Sequence, residues 1–152
     1  VEVASASGRT FLFKEVTLES DVKLAEVNIG EYAGFIFNCS ALGANVAPGS
    51  EAVPAFGEAF SKPEEVAIAK KIIAAGKPVA AQDKGVVILA QAGGLAGKKY
   101  SYGRDLLISE AIYGGQSVVQ DGNIITSTYC PYLGSNDQTV ELTNALIAVL
   151  QK

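Results

Sequence analysis

Lys77-Pro78-Val79-Ala80-Ala81-Gln82-Asp83-Lys84-Gly85-Val86-Val87-Ile88-Leu89-Ala90-Gln91-Ala92-Gly93 reads as a strand, an abrupt turn and a helix. Val79 to Ala81 form a small, apolar strand end, Gly85 lets a helix start close to neighbouring backbone, and Val86 to Ala92 supply an apolar helical face. Asp83 occupies the apex. An elbow of this kind holds its apex side chain at the carboxyl end of a parallel sheet. There it lies beside the backbone N–H groups of a helix N-terminus, where negative charge is favoured. A carboxylate suits that place physically.

Upstream of the elbow, Ser61-Lys62-Pro63-Glu64 caps and begins a helix that Gly76 ends, with Val66, Ile68, Ala69, Ile72 and Ile73 as its buried face. Gly34 to Asn38 is a largely apolar run suited to a central parallel strand, and Ser40 to Pro54 is a loop long enough to suggest a functional role. Val1 to Ser5 and Thr10 to Phe13 read as extended, and Asp21 to Val27 as a brief helical or irregular connection. Downstream, a short strand is expected near Tyr100 to Tyr102 and a helix over Arg104 to Tyr113. Asp121-Gly122 is a hairpin signal between Ser117 to Gln120 and Asn123 to Thr128, and a last helix runs from about Asp137 to Leu150. Strands alternating with helices indicate a layered α/β sheet.

The 152 residues, 49% hydrophobic and 18% charged, suit one well-buried domain over residues 1–152. A net charge of −4 without a basic cluster leaves no electrostatic footprint for nucleic acid or an anionic membrane, and no apolar run is long enough for a membrane-spanning helix. Cys39 and Cys130 are too few for a disulfide scaffold and lack metal-site spacing, so a reducing, cytoplasmic setting without metal or cofactor is the expectation. With no histidine, Ser-His-Asp and Cys-His pairs cannot be built within the chain. The absence of methionine and the start at Val1 suggest that an upstream segment has been removed or left out.

The elbow entry Gly76-Lys77-Pro78-Val79-Ala80-Ala81 and the hairpin Asp121-Gly122-Asn123-Ile124-Ile125-Thr126-Ser127, together with Tyr32-Ala33-Gly34-Phe35-Ile36-Phe37, resemble the ThiJ/PfpI superfamily (DJ-one-like, class I glutamine-amidotransferase-like). The resemblance implies a flavodoxin-like three-layer α/β sandwich with a mostly parallel sheet. Asp83 stands where the superfamily keeps its elbow cysteine, and Lys84 where many members keep histidine. Val1 to Ala6 matches the superfamily's second strand. The first strand and helix, with a glutamate that hydrogen-bonds the cysteine, are therefore missing from this chain, and a missing N-terminal segment, a second chain or a homo-oligomer is expected to complete the sheet.

Two functional classes follow from that altered elbow. In one, Asp83 is a retained polar, helix-capping residue and the protein binds a small molecule or assembles with partners. In the other, a hydrolase (peptidase, amidase or deglycase-like) uses Asp83, or a relocated thiol at Cys39 or Cys130, as nucleophile. Asn38, Ser40, Lys84, Gly85 and Tyr129 are the candidate ligand-binding positions, Gln82 and Gly85 through their backbone, with Tyr132 and Asn136 as further loop residues. Cys39 and Cys130 both fall at the carboxyl edge of the sheet, where each is a small buried hydrophobe, a displaced nucleophile or half of a Cys39–Cys130 disulfide. Asn38-Cys39-Ser40 fits the glycosylation pattern, and its asparagine, ending a buried-looking strand, makes the match accidental.

Overall fold

The computed structural model describes residues 1–5, 11–13, 16–38 and 63–152. At its centre, strands β5 (Phe35–Phe37), β6 (Val79–Gln82), β10 (Ile124–Ser127) and β9 (Val119–Asp121) lie in that order. The first three are parallel, and β9 runs antiparallel to β10. Every residue of β6 and β10 is buried, as parallel strands covered on both faces must be.

The two-residue period of a strand sends alternate side chains of β6 to opposite layers. Val79 and Ala81 join Ile124 in packing against helix α1 (Pro63–Ala74) through Ile68, Ala69 and Ile72, and against helix α2 (Lys84–Gln91) through Val86 to Leu89. Ala80 and Ile125 face the other way, onto Leu142 and Leu146 of helix α3 (Thr139–Leu150). Helices on both faces of a mostly parallel sheet make a three-layer, flavodoxin-like α/β sandwich.

Three short ladders flank this sheet. Strand β1 (Ala4–Ser5) pairs in parallel with β4 (Val22–Lys23), β2 (Phe11–Phe13) antiparallel with β3 (Val16–Leu18), and β7 (Lys99–Tyr100) in parallel with β8 (Ile112–Tyr113).

Several expectations need correction. Among the described residues the Gly34 to Asn38 run forms an edge strand rather than a central one: β5 pairs there with β6 alone, and Ile36 is 49% exposed. Asp21 to Val27 contributes strand β4 and a 3-10 turn at Leu24–Glu26. Arg104 to Tyr113 is not helical. The Tyr100 hydroxyl donates to Asp105 Oδ1 at 2.6 Å and accepts the Leu106 N–H at 2.8 Å. Asp105 also accepts the Leu107 N–H at 2.9 Å, and Leu107 and Glu110 adopt φ of 54° and 65°. Side-chain-to-backbone bonds and left-handed residues together displace the helical ladder. The hairpin turn is shifted by one residue, since Asp121 pairs with Ile124 and leaves Gly122 and Asn123 as the connection. The loop read from Ser40 to Pro54 and the cap at Ser61 and Lys62 lie outside the described residues.

Parallel strands bring their carboxyl ends to one edge. Phe37 is level with Ala81, and Ala81 with Thr126, so Asn38, Asp83 and Thr128 all follow at the same edge. Open α/β sheets bind ligands there.

Candidate functional site

Asp83 has φ 48° and ψ −118°, a conformation that L-residues seldom adopt and that marks a strand-to-helix elbow. Two backbone bonds hold it: its N–H donates to the Ser127 carbonyl at 2.9 Å, and its carbonyl accepts the Val86 N–H at 2.9 Å. Gly85 is buried beneath the turn, and a Cβ there would overlap the Phe37 carbonyl. The elbow is therefore pressed against β5, which only glycine at that position permits.

The Asp83 side chain is half-buried and makes no capping hydrogen bond to helix α2, so the helix-capping role read from the sequence does not hold. Its neighbour is the Cys130 thiol, which donates to Asp83 Oδ2 with Sγ at 3.9 Å. Cys130 is 2% exposed and is a free thiol, while the other half of the disulfide read from the sequence, Cys39, is not among the described residues. Lys84 is half-buried beside the apex, and Asn38 is exposed after β5. Cys39 and Ser40 lie outside the described residues, and so does most of the glycosylation pattern.

Three glutamines that belong to no sequence pattern organise the edge. Gln82, 1% exposed, donates through Nε2 to the Tyr129 carbonyl at 2.5 Å and to the Thr139 hydroxyl at 3.0 Å, a structural role for its side chain beside the backbone role expected of it at the site. Gln138 Oε1 accepts the Thr128 and Tyr129 N–H groups at 3.0 and 3.3 Å. Gln116 accepts the Tyr129 hydroxyl at 2.6 Å and donates to the Gly103 carbonyl at 2.9 Å. Tyr129 is thereby fixed at both its ring and its backbone, and Asn136 is exposed within the 3-10 segment Pro131–Asn136.

Around the same strand ends, Ser101, Ser127 and Thr128 carry buried hydroxyls without a hydrogen-bond partner among the described residues. Buried polar groups are rarely left so, because each unmade bond costs about 1–3 kcal/mol. Among the described residues no cluster of three His, Cys, Asp or Glu could hold a metal ion, and no helix is long and apolar enough to cross a membrane.

No family model matches the chain, and no curated protein does. Solved structures do. A ThiJ/PfpI domain protein from Brachyspira murdochii superposes with a TM-score of 0.73 at 22% identity, covering 99% of this chain and 79% of that one. A candidate protease I from Bacteroides thetaiotaomicron gives 0.64 at 19% identity, covering 93% and 77%. Drosophila melanogaster DJ-1beta gives 0.59 at 19% identity, covering 99% and 77%. The fold is that of the ThiJ/PfpI and DJ-1 structures.

Proposed function

We propose that this chain, built on the ThiJ/PfpI and DJ-1 fold, lacks the cysteine chemistry that its elbow position could host and acts by binding a small ligand at the carboxyl edge or by assembly. The observation that supports this most directly is Asp83 at the apex, in the elbow conformation and half-buried. A carboxylate is a far weaker nucleophile than a thiolate, and with no histidine in the chain no imidazole can activate it. The elbow persists without the residue that would use it. The unpartnered hydroxyls of Ser101, Ser127 and Thr128 are the groups that a small polar ligand or ordered water would satisfy.

On this reading Lys84 and the Gly85 backbone lie nearest a ligand's anionic group, while Asn38 and Tyr129 border it. The assembly half of the reading calls for a further segment, a second chain or a homo-oligomer to complete the sheet beyond β5. A free thiol at Cys130 is in keeping with a reducing compartment such as the cytoplasm.

The Cys130–Asp83 contact favours a second reading. Here Asp83 takes the thiol proton while Sγ attacks a carbonyl, the C–N or C–O bond breaks as the leaving amine or alcohol departs with that proton, and water then cleaves the thioester to release the acid and restore the thiol. Burial of Cys130 weighs against it, because substrate must reach a sulfur that is 2% exposed. The discriminating test is hydrolysis of p-nitrophenyl acetate before and after treatment with iodoacetamide in native buffer. Ligand binding or assembly predicts no turnover above buffer in either sample, whereas turnover abolished by alkylation establishes the thiol reading.

A further inference from the structure

We propose that a second cleft, at the amino edge of the sheet, binds a flat amphipathic monocarboxylate whose anionic group is held by Lys98. The site is separate from the carboxyl edge. Strands β6 and β10 run from this cleft toward Asp83 and Ser127, and a four-residue strand spans about 13 Å.

The cleft has a volume of about 400 Å³, within the range of small-molecule sites. Ile73 at the end of α1 and Ile124 at the start of β10 supply its apolar contact. Gly94 is buried and adds bare backbone, because a Cβ there would come 2.6 Å from Ile73 Cδ1. Gly76 and Gly122 have φ of 66° and 62°, which L side chains seldom adopt. A Cβ at Gly76 would meet nothing within 4 Å, and one at Gly122 would meet only Lys98. Walls with so few side chains suit a planar ring lying against isoleucine and backbone.

The charge is concentrated at Lys98. Its Nζ is 3.6 Å from the position of a Cβ at Gly122, so a side chain there would cover the ammonium that glycine leaves open. Asp121 Oδ1 lies 3.4 Å from that Nζ, beyond the ~2.7–2.9 Å of a close charged hydrogen bond, and Asp121 Oδ2 accepts the Lys99 N–H at 2.8 Å. An ammonium has three donors, so Lys98 can take a second carboxylate while keeping Asp121. Lys77 also lines the cleft, and its Nζ donates to the Tyr32 carbonyl at 2.8 Å, a neutral partner that leaves its charge uncompensated.

A helix C-terminus ordinarily repels an anion through its open carbonyls. Here the Ile72 and Ile73 carbonyls accept the Lys77 and Gly76 N–H groups at 3.3 and 3.0 Å, and the Gly76 carbonyl accepts Asn123 Nδ2 at 2.8 Å. Lys77 and Lys98 against Asp121 leave one net positive charge, which matches a monoanion. A dianion such as phosphate would also face the Asp121 carboxylate.

The test is an amide proton–nitrogen correlation titration of the 152-residue protein with sodium cinnamate, beside the uncharged cinnamamide. The largest signal movements are expected at Gly94, Lys98, Gly122 and Asn123. Cinnamamide, and cinnamate with Lys98→Gln, are expected to bind roughly fivefold more weakly, the size of a partly exposed ion pair. Lys98→Arg should bind cinnamate as the natural protein does, and so should Lys70→Gln, which removes one exposed charge elsewhere on α1. The acid–amide comparison uses the natural protein and does not depend on any variant folding. Four results overturn the proposal: no movement at millimolar cinnamate, the largest movements at Asp83 and Ser127, equal binding of acid and amide, or unchanged binding in Lys98→Gln. A catalytic outcome at Asp83 alters none of these readings, so the two proposals fail separately.

Discussion

The thiol of Cys130 and the carboxylate of Asp83 meet at the carboxyl edge of the sheet, with Sγ 3.9 Å from Oδ2 although 47 residues separate them in sequence. Each is delivered by the exit of a different parallel strand, Asp83 by β6 and Cys130 by the loop after β10. The pair is therefore a product of strand register, and its burial decides what it can do.

At 2% exposure Cys130 is out of reach of a bulk reagent. Iodoacetamide labelling of Cys130, followed by peptide mass mapping, is expected to be at least about 100-fold slower in native buffer than in 8 M urea, since the reactive form needs access as well as ionisation. Equal rates in the two conditions would show that the thiol is open to substrates.

Backbone strain at Asp83 makes a prediction about stability. Its φ of 48° and ψ of −118° cost about 1–3 kcal/mol for a residue with a Cβ, and glycine escapes that cost while giving back part of it in unfolded-state entropy. Asp83→Gly is expected to stabilise the protein by about 1 kcal/mol, and Asp83→Val to destabilise it, both read from urea midpoints. A lowered midpoint for Asp83→Gly would mean that the carboxylate's contacts outweigh the strain.

Two buried glycines should respond differently to alanine. At Gly85 the new methyl overlaps the Phe37 carbonyl, which is backbone and cannot yield, whereas at Gly94 it comes 2.6 Å from the Ile73 Cδ1, the movable end of a side chain. Helix propensity favours alanine by about 1 kcal/mol, but overpacking against backbone costs about 1–3 kcal/mol or more. Gly85→Ala is expected to lose about 2 kcal/mol, and Gly94→Ala less than half of that, in chemical denaturation.

Tyr100 sets an alkaline limit. Burial, reinforced by the hydrogen bond to Asp105, pushes its hydroxyl up to about 12. An unfolded tyrosine titrates near ~10. Between those values the native state keeps a proton that the unfolded chain releases, so stability present below pH ~10 declines as pH rises toward ~12. Tyr100→Phe should flatten that decline, and absorbance at 295 nm should show one tyrosine ionising well after the others. The Asp105 carboxyl is held below the ordinary carboxylate range by the Tyr100 hydroxyl and then the Leu107 N–H, so its contribution is lost only as acid protonates it.

The elbow, helices α1 and α3 and the late hairpin were legible because each is encoded locally, by apolar spacing, by Pro63 and by the glycines at 76, 85 and 122. Three features were not. β5 looked central because Phe35-Ile36-Phe37 is apolar on both faces, and nothing within those residues records which neighbours pair with it. The 104–113 segment is not helical because the Tyr100 hydroxyl just upstream bonds Asp105 and the Leu106 N–H, a side-chain contact that no apolar spacing records. The glutamines at 82, 116 and 138 work through partners that are mostly remote in sequence, so no spacing rule could single them out.

The elbow is read as a scaffold that keeps its geometry without its nucleophile, and Asp83→Cys tests this most directly. Steady-state hydrolysis of p-nitrophenyl acetate would be compared for the natural protein, Asp83→Ala and Asp83→Cys, each with and without prior alkylation. The expected result is turnover in Asp83→Cys alone, abolished by iodoacetamide, with the other two proteins at the buffer rate. Robust turnover by the natural protein that survives both Asp83→Ala and alkylation would contradict it, because the chemistry would then lie away from the elbow.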